Sequence, residues 1–124
     1  METKTVLVIE DNDLNMEIVV AALELCHYRV LQAADAETGI QLACTHMPDL
    51  ILMDIQLPGM DGYSATRLIK SNLATKDIPV VALTAYAMKS DQDQAFRAGC
   101  SGCITKPFSL NIFMDQIKRY LENS

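Results

Sequence analysis

The chain has 124 residues, half of them hydrophobic and 21% charged, which argues for one domain spanning 1–124 and excludes wholesale disorder. Ten Lys and Arg against 16 Asp and Glu give a net charge of -6, the wrong sign for a direct nucleic-acid binder that needs a basic face. No apolar run approaches the roughly 18 residues of a membrane span, and Val6 to Ile9 runs into Glu10 and Asp11 too soon for a secretory signal, so a cytoplasmic protein with no membrane partner is expected.

Lys4 to Ile9 is a short run rich in β-branched and aliphatic residues that stops at Glu10-Asp11-Asn12-Asp13, the pattern of a buried strand ending in an acidic loop. Asn12 or Asp13 can cap a helix whose apolar residues Met16, Val19, Val20 and Leu23 recur at three and four, ending before His27 and Tyr28. Arg29 to Ala33 is the next strand. Asp35 can cap a second helix with Ile40, Ala43 and Met47 on one side and Pro48 at its end. Leu50 to Met53 is a continuous apolar run ending in Asp54, and the turn-rich Pro58-Gly59-Met60-Asp61-Gly62 leads to a helix with Ala65, Leu68, Ile69 and Leu73. Pro79 introduces a fourth strand, Val80 to Leu83, which ends in Thr84. Lys89 to Ala98 is a mostly polar helix with little core stripe, closed by Gly99. Cys103 and Ile104 belong to a short fifth strand ending near Lys106-Pro107. The last helix, Leu110 to Leu121, turns Ile112, Phe113, Ile117, Tyr120 and Leu121 inward.

Apolar runs alternating with helical patterns predict an α/β fold, a parallel five-stranded sheet doubly wound by helices on both faces. Ligands of such sheets bind beyond the carboxyl ends of the strands, where the strand order reverses. Glu10, Asp11, Asp54, Thr84 and Lys106 all fall at those ends. Three carboxylates in one crevice repel one another unless a cation is bound, and Mg²⁺ suits one or two carboxylates with water and phosphoryl oxygens in the remaining positions. Lys106 supplies a point charge and Thr84 a hydroxyl for the other oxygens of a transferring phosphoryl group. Asp54, at the tip of a fully apolar strand, is the nucleophile of choice. Taken singly, each residue has a plainer reading as turn former, helix cap, strand-end hydroxyl or surface lysine. Four strand ends, each with the type that phosphoryl transfer needs, change that reading.

The segments Val6-Leu7-Val8-Ile9-Glu10-Asp11-Asn12, Asp49 to Gly62, Pro79 to Ala85 and Lys106-Pro107-Phe108, in this order and spacing, resemble the receiver domain of two-component response regulators over essentially the whole chain. The resemblance, to the stand-alone chemotaxis-regulator type, implies the flavodoxin-like strand order 2-1-3-4-5. It implies that Asp54 accepts a phosphoryl group from the phosphohistidine of a histidine kinase or phosphotransfer protein. Glu10, Asp11 and Asp54 would then organise Mg²⁺ with the backbone carbonyl of Gln56, Thr84 and Lys106 would contact the phosphoryl group, and the Lys106-Pro107 bond would be cis. The chain would catalyse its own phosphorylation and dephosphorylation without being an enzyme in the usual sense. Lacking an output domain, it would signal by docking a downstream protein on the face of the fourth helix, fifth strand and fifth helix. The alternatives are a phosphorelay intermediate or phosphate sink, or a receiver fragment of a hybrid histidine kinase.

The chain departs from the family three residues before Lys106, where Cys103 stands in place of a switching Tyr or Phe; Tyr86 is the aromatic in the neighbouring loop. Cys100 and Cys103 have CxxC spacing but follow a helix C-terminus, where the dipole opposes a thiolate, and His27 and His46 are isolated, so small core filler is expected of them in place of redox or zinc chemistry. With Cys26 and Cys44 they are expected as reduced thiols.

Overall fold

The computed structural model describes residues 3–84, 89–105 and 109–122, without the side chain of Asp91. Its elements alternate without exception: β1 (Thr5–Ile9), α1 (Asp13–Leu25), β2 (Arg29–Ala33), α2 (Ala36–His46), β3 (Leu50–Asp54), α3 (Gly62–Ser71), β4 (Val80–Thr84), α4 (Lys89–Ala98), β5 (Gly102–Thr105) and α5 (Leu110–Glu122). The strands form one sheet in the order β2-β1-β3-β4-β5, and every neighbouring pair is parallel. This is the doubly wound, flavodoxin-like arrangement.

The apolar runs are continuous because both faces of the central strands are covered. Leu7, Ile9, Ile51, Met53, Val80 and Ala82 point to the layer holding α2, α3 and α4. Their alternating neighbours Val6, Val8, Leu50, Leu52, Val81 and Leu83 meet α1 and α5 through Val19, Leu23, Phe113, Ile117 and Leu121. Val6 to Ile9, Leu50 to Met53 and Val80 to Leu83 are fully buried, and each such Val, Leu or Ile contributes on the order of 1.5–3 kcal/mol relative to exposure. That burial makes the three central strands a rigid base whose tips carry the polar residues.

Helix ends follow local chemistry. Asn12, and not Asp13, caps α1 by accepting the Asn15 amide at 2.9 Å; Asp35 and Asp61 cap α2 and α3 in the same way. Gly99, at φ +111°, closes α4 with its own N–H on the Phe96 carbonyl and that of Cys100 on the Ala95 carbonyl, a Schellman pair. His27, at φ 65°, does the same for α1 despite its side chain.

Four apolar residues lie elsewhere than their spacing predicts. Met47 is not on the inner side of α2; it stands past the helix end in the left-handed region at φ 49° and is 48% exposed, since the ring of Pro48 disfavours helical backbone at the preceding residue. In α3 the buried positions are Gly62, Ala65, Thr66 and Ile69, which leaves Leu68 about 100° off the inward line and half exposed. Leu73 lies beyond the helix, which stops at Ser71, and is 82% exposed. Ile112 of α5 is 61% exposed because the inward line runs through Phe113, Ile117 and Leu121 at four-residue spacing. As expected, α4 contributes only Ala95 and Ala98 to the buried set among its described side chains.

Cys100 is buried and Cys103 half-buried, so the filler reading fits the first fully and the second in part. Burial pushes the Cys100 thiol up to about 11, against a weaker lowering by its contact with the Thr66 hydroxyl at 3.8 Å. A thiol held protonated is a poor nucleophile. The unfolded chain releases this proton near the ordinary value of 9.0 while the folded chain keeps it until about 11. Above the lower value the unfolded state therefore binds fewer protons, and stability is expected to fall as pH rises between the two. Urea midpoints across that window should decline less steeply for Cys100→Ala than for the native chain; identical slopes would contradict the assignment.

Candidate phosphoryl-transfer site

The strand order reverses between β1 and β3, whose carboxyl ends lie side by side through the register Ile9 to Met53. Glu10 leaves β1 still tied to the sheet by its N–H on the Ala33 carbonyl at 3.0 Å, and its side chain is only 2% exposed. Asp11 follows in the open loop. Asp54 is the last residue of β3, 4% exposed, with Met53 buried before it and the Ile55 N–H on the Leu83 carbonyl at 3.1 Å after it. An oxygen from each of Glu10, Asp11 and Asp54 lies within 4.8 Å of the others.

The Gln56 backbone amide donates to Asp54 Oδ1 at 3.1 Å, so the peptide chain after β3 folds back against this carboxylate. Gly62 holds that loop from the other side, its N–H on the Ile55 carbonyl at 3.1 Å. A Cβ at residue 62 would lie 2.4 Å from the Asp54 carbonyl oxygen and 2.8 Å from Ile55 Cα, both backbone atoms, so only glycine permits the approach. Thr84 ends β4 one residue past Leu83, the register partner of Asp54, and is 4% exposed; Thr84 is itself opposite Thr105, the last residue of β5. Lys106, its bond to Pro107, and Tyr86 lie outside the described residues.

The donor set fits a hard divalent ion: clustered carboxylate oxygens, two of the three residues shielded from water, and an open side through exposed Asp11 and Gln56. Two participants escaped sequence reasoning. Gly62 is visible in the sequence only as a turn former. Asn15 donates to Glu10 through its side-chain amide at 3.4 Å, and the signal for it is the Asn12, Asn15 spacing directly after the acidic pair.

The sequence profile of the response regulator receiver domain matches residues 6–118. The polar-differentiation response regulator DivK of Brucella ovis is 41% identical over 119 residues, 96% of this chain and 97% of that protein. The receiver domain of a sensor histidine kinase from Pseudomonas aeruginosa, whose crystal structure has a magnesium ion coordinated in the active-site cleft, superposes with a TM-score of 0.90 at 34% identity, covering 98% of this chain and 99% of that one. A Chloroflexus aurantiacus chain described as a response regulator superposes with a TM-score of 0.93 at 30% identity over 98% and 99% of the two chains. With the fold, the strand-tip carboxylates and these relatives in agreement, the chain belongs to the response regulator receiver-domain family.

Proposed function

We propose that the chain is a phosphorylation-dependent signalling protein in which Asp54 accepts a phosphoryl group from the phosphohistidine of a histidine kinase or phosphotransfer protein. The observation that carries this reading is the meeting of Glu10, Asp11 and Asp54 oxygens within 4.8 Å at the switch point of the sheet. In the proposed step an Asp54 carboxylate oxygen attacks phosphorus in line, and the new O–P bond forms as the P–N bond breaks. The electron pair stays on the imidazole nitrogen of the donor, which takes up a proton. Mg²⁺, when bound, would supply positive charge to offset that on the phosphoryl oxygens. Glu10, Asp11, Asp54 and the carbonyl of Gln56 are its proposed ligands. The Gln56 amide orients the attacking carboxylate through Oδ1, while Thr84 and Lys106 are assigned to the remaining phosphoryl oxygens. Rigid strand tips suit this task, because positioning and charge stabilisation are nearly all that the transfer asks of the protein.

Downstream signalling is assigned to docking of a target protein on α4, β5 and α5, where Phe96, Leu110 and Ile112 keep 55%, 47% and 61% of their surface in solvent. No helix among the described residues is long and apolar enough to cross a membrane, which accords with the proposed cytoplasmic setting.

Asp11→Ala tests the cation half of the reading. The native chain is expected to gain thermal stability as Mg²⁺ is added, by the mass-action effect of a ligand that binds only the folded state, and the variant is expected to lose that gain together with Mg²⁺-dependent labelling. Equal response of the two proteins to Mg²⁺ would remove Asp11 from the site.

A further inference from the structure

We propose that Asn15 is a positioning residue for the cation site, holding the Glu10 carboxylate in the orientation that the ion needs; this rests on the cation reading above. Asn12 is the N-cap of α1 and Asn15 its third helical residue. In a capping box the side chain at that third position reaches back to the N-cap N–H. Here the Asn15 backbone N–H does go to Asn12 Oδ1 at 2.9 Å, but the return bond is missing from the usual place. Glu10 Oε1 instead accepts the Asn12 N–H at 3.4 Å, and the Asn15 side-chain NH2 donates to the same oxygen at 3.4 Å. The cap of α1 and the most buried carboxylate of the cluster are therefore one hydrogen-bonded unit.

The chemistry favours an amide at this position. Glu10 has one more rotatable bond than Asp11 or Asp54, so it loses more freedom when a ligand atom must be fixed. A neutral donor orients the carboxylate without cancelling its charge, as a lysine would. Asn15 sits on a helix that is anchored to the sheet by buried Val19, Ala22 and Leu23, so its amide is held by the core and not by the loop alone.

Divalent-ion affinity, read by calorimetric titration of the unphosphorylated chain with MgCl2 and by Mn²⁺ electron paramagnetic resonance, decides the matter. Asn15→Ala is expected to weaken binding about 10-fold, the lower end for loss of a group that orients a metal ligand. Glu10→Asp keeps the charge but withdraws the carboxylate from Asn15, so adding Asn15→Ala to Glu10→Asp should produce no further loss. Melting curves of each variant in EDTA separate affinity from general damage. Binding by Asn15→Ala within about twofold of native, or an equal loss in both backgrounds, would overturn the proposal. Undiminished binding by Glu10→Ala would overturn the cation reading itself, and this inference with it.

Discussion

Asp54→Asn is expected to abolish Mg²⁺-dependent phosphoryl labelling by a phosphorylated histidine kinase or a small phosphodonor, while the melting temperature stays close to native. The amide has nearly the shape of the carboxylate and can still accept the Gln56 N–H that now meets Oδ1. It lacks the negative oxygen that attacks phosphorus, and it takes one of the clustered charges away from the ion. Neighbouring acids cannot substitute. Asp11 lies in the exposed loop after β1, and Glu10 reaches the cluster from the strand beside β3 with one oxygen engaged by Asn12 and Asn15. Filter-bound radiolabel at native rate in the variant would show that another residue is the acceptor.

The second large effect is expected from Gly62→Ala. The added methyl would meet the Asp54 carbonyl oxygen and Ile55 Cα at 2.4 and 2.8 Å, and neither backbone atom can step aside without moving the tip of β3. Overpacking of this kind costs on the order of 1–3 kcal/mol. The strain falls on the segment that aims Asp54, so phosphoryl acceptance should fall by more than the loss of folded protein explains. Gly39→Ala provides the contrast: its methyl would press on the buried Ile9 side chain at Cδ1 and Cγ1 and would meet no backbone atom of the segment after β3. Chemical denaturation and labelling rates measured on both variants check the difference; equal labelling rates for Gly62→Ala and Gly39→Ala would show that the loop tolerates the change.

The contrast between these two glycines also marks how far the sequence can be read. Val6 to Ile9, Leu50 to Met53 and Val80 to Leu83 announce themselves because strands buried on both faces are apolar at every position. Asp35 and Gly99 mark helix ends through bonds made within a few residues, and Pro48 marks one through its ring. Leu68, Leu73, Met47 and Ile112 are another matter: periodicity shows that apolar residues recur, but which line of a helix faces the sheet, and where the helix stops, depends on packing across the layers. The site divides in the same way. The carboxylates at the ends of β1 and β3 are legible as residue types at strand tips, since the parallel sheet brings those tips together. The closeness of Gly62 to Asp54 depends on a distance between segments that no local pattern records, and the Asn12, Asn15 spacing hints at a cap without showing that the Asn15 amide turns to Glu10.

The most direct measurement is chemical trapping of the acceptor. The native chain would be treated with a small phosphodonor and Mg²⁺, reduced with borohydride so that an acyl phosphate becomes an alcohol, and digested for mass spectrometry. The account predicts homoserine at Asp54, formed only when Mg²⁺ is present and absent from Asp11→Ala. Homoserine at Asp11 or at any other aspartate, or a phosphoryl group that survives on a histidine or serine, would contradict it.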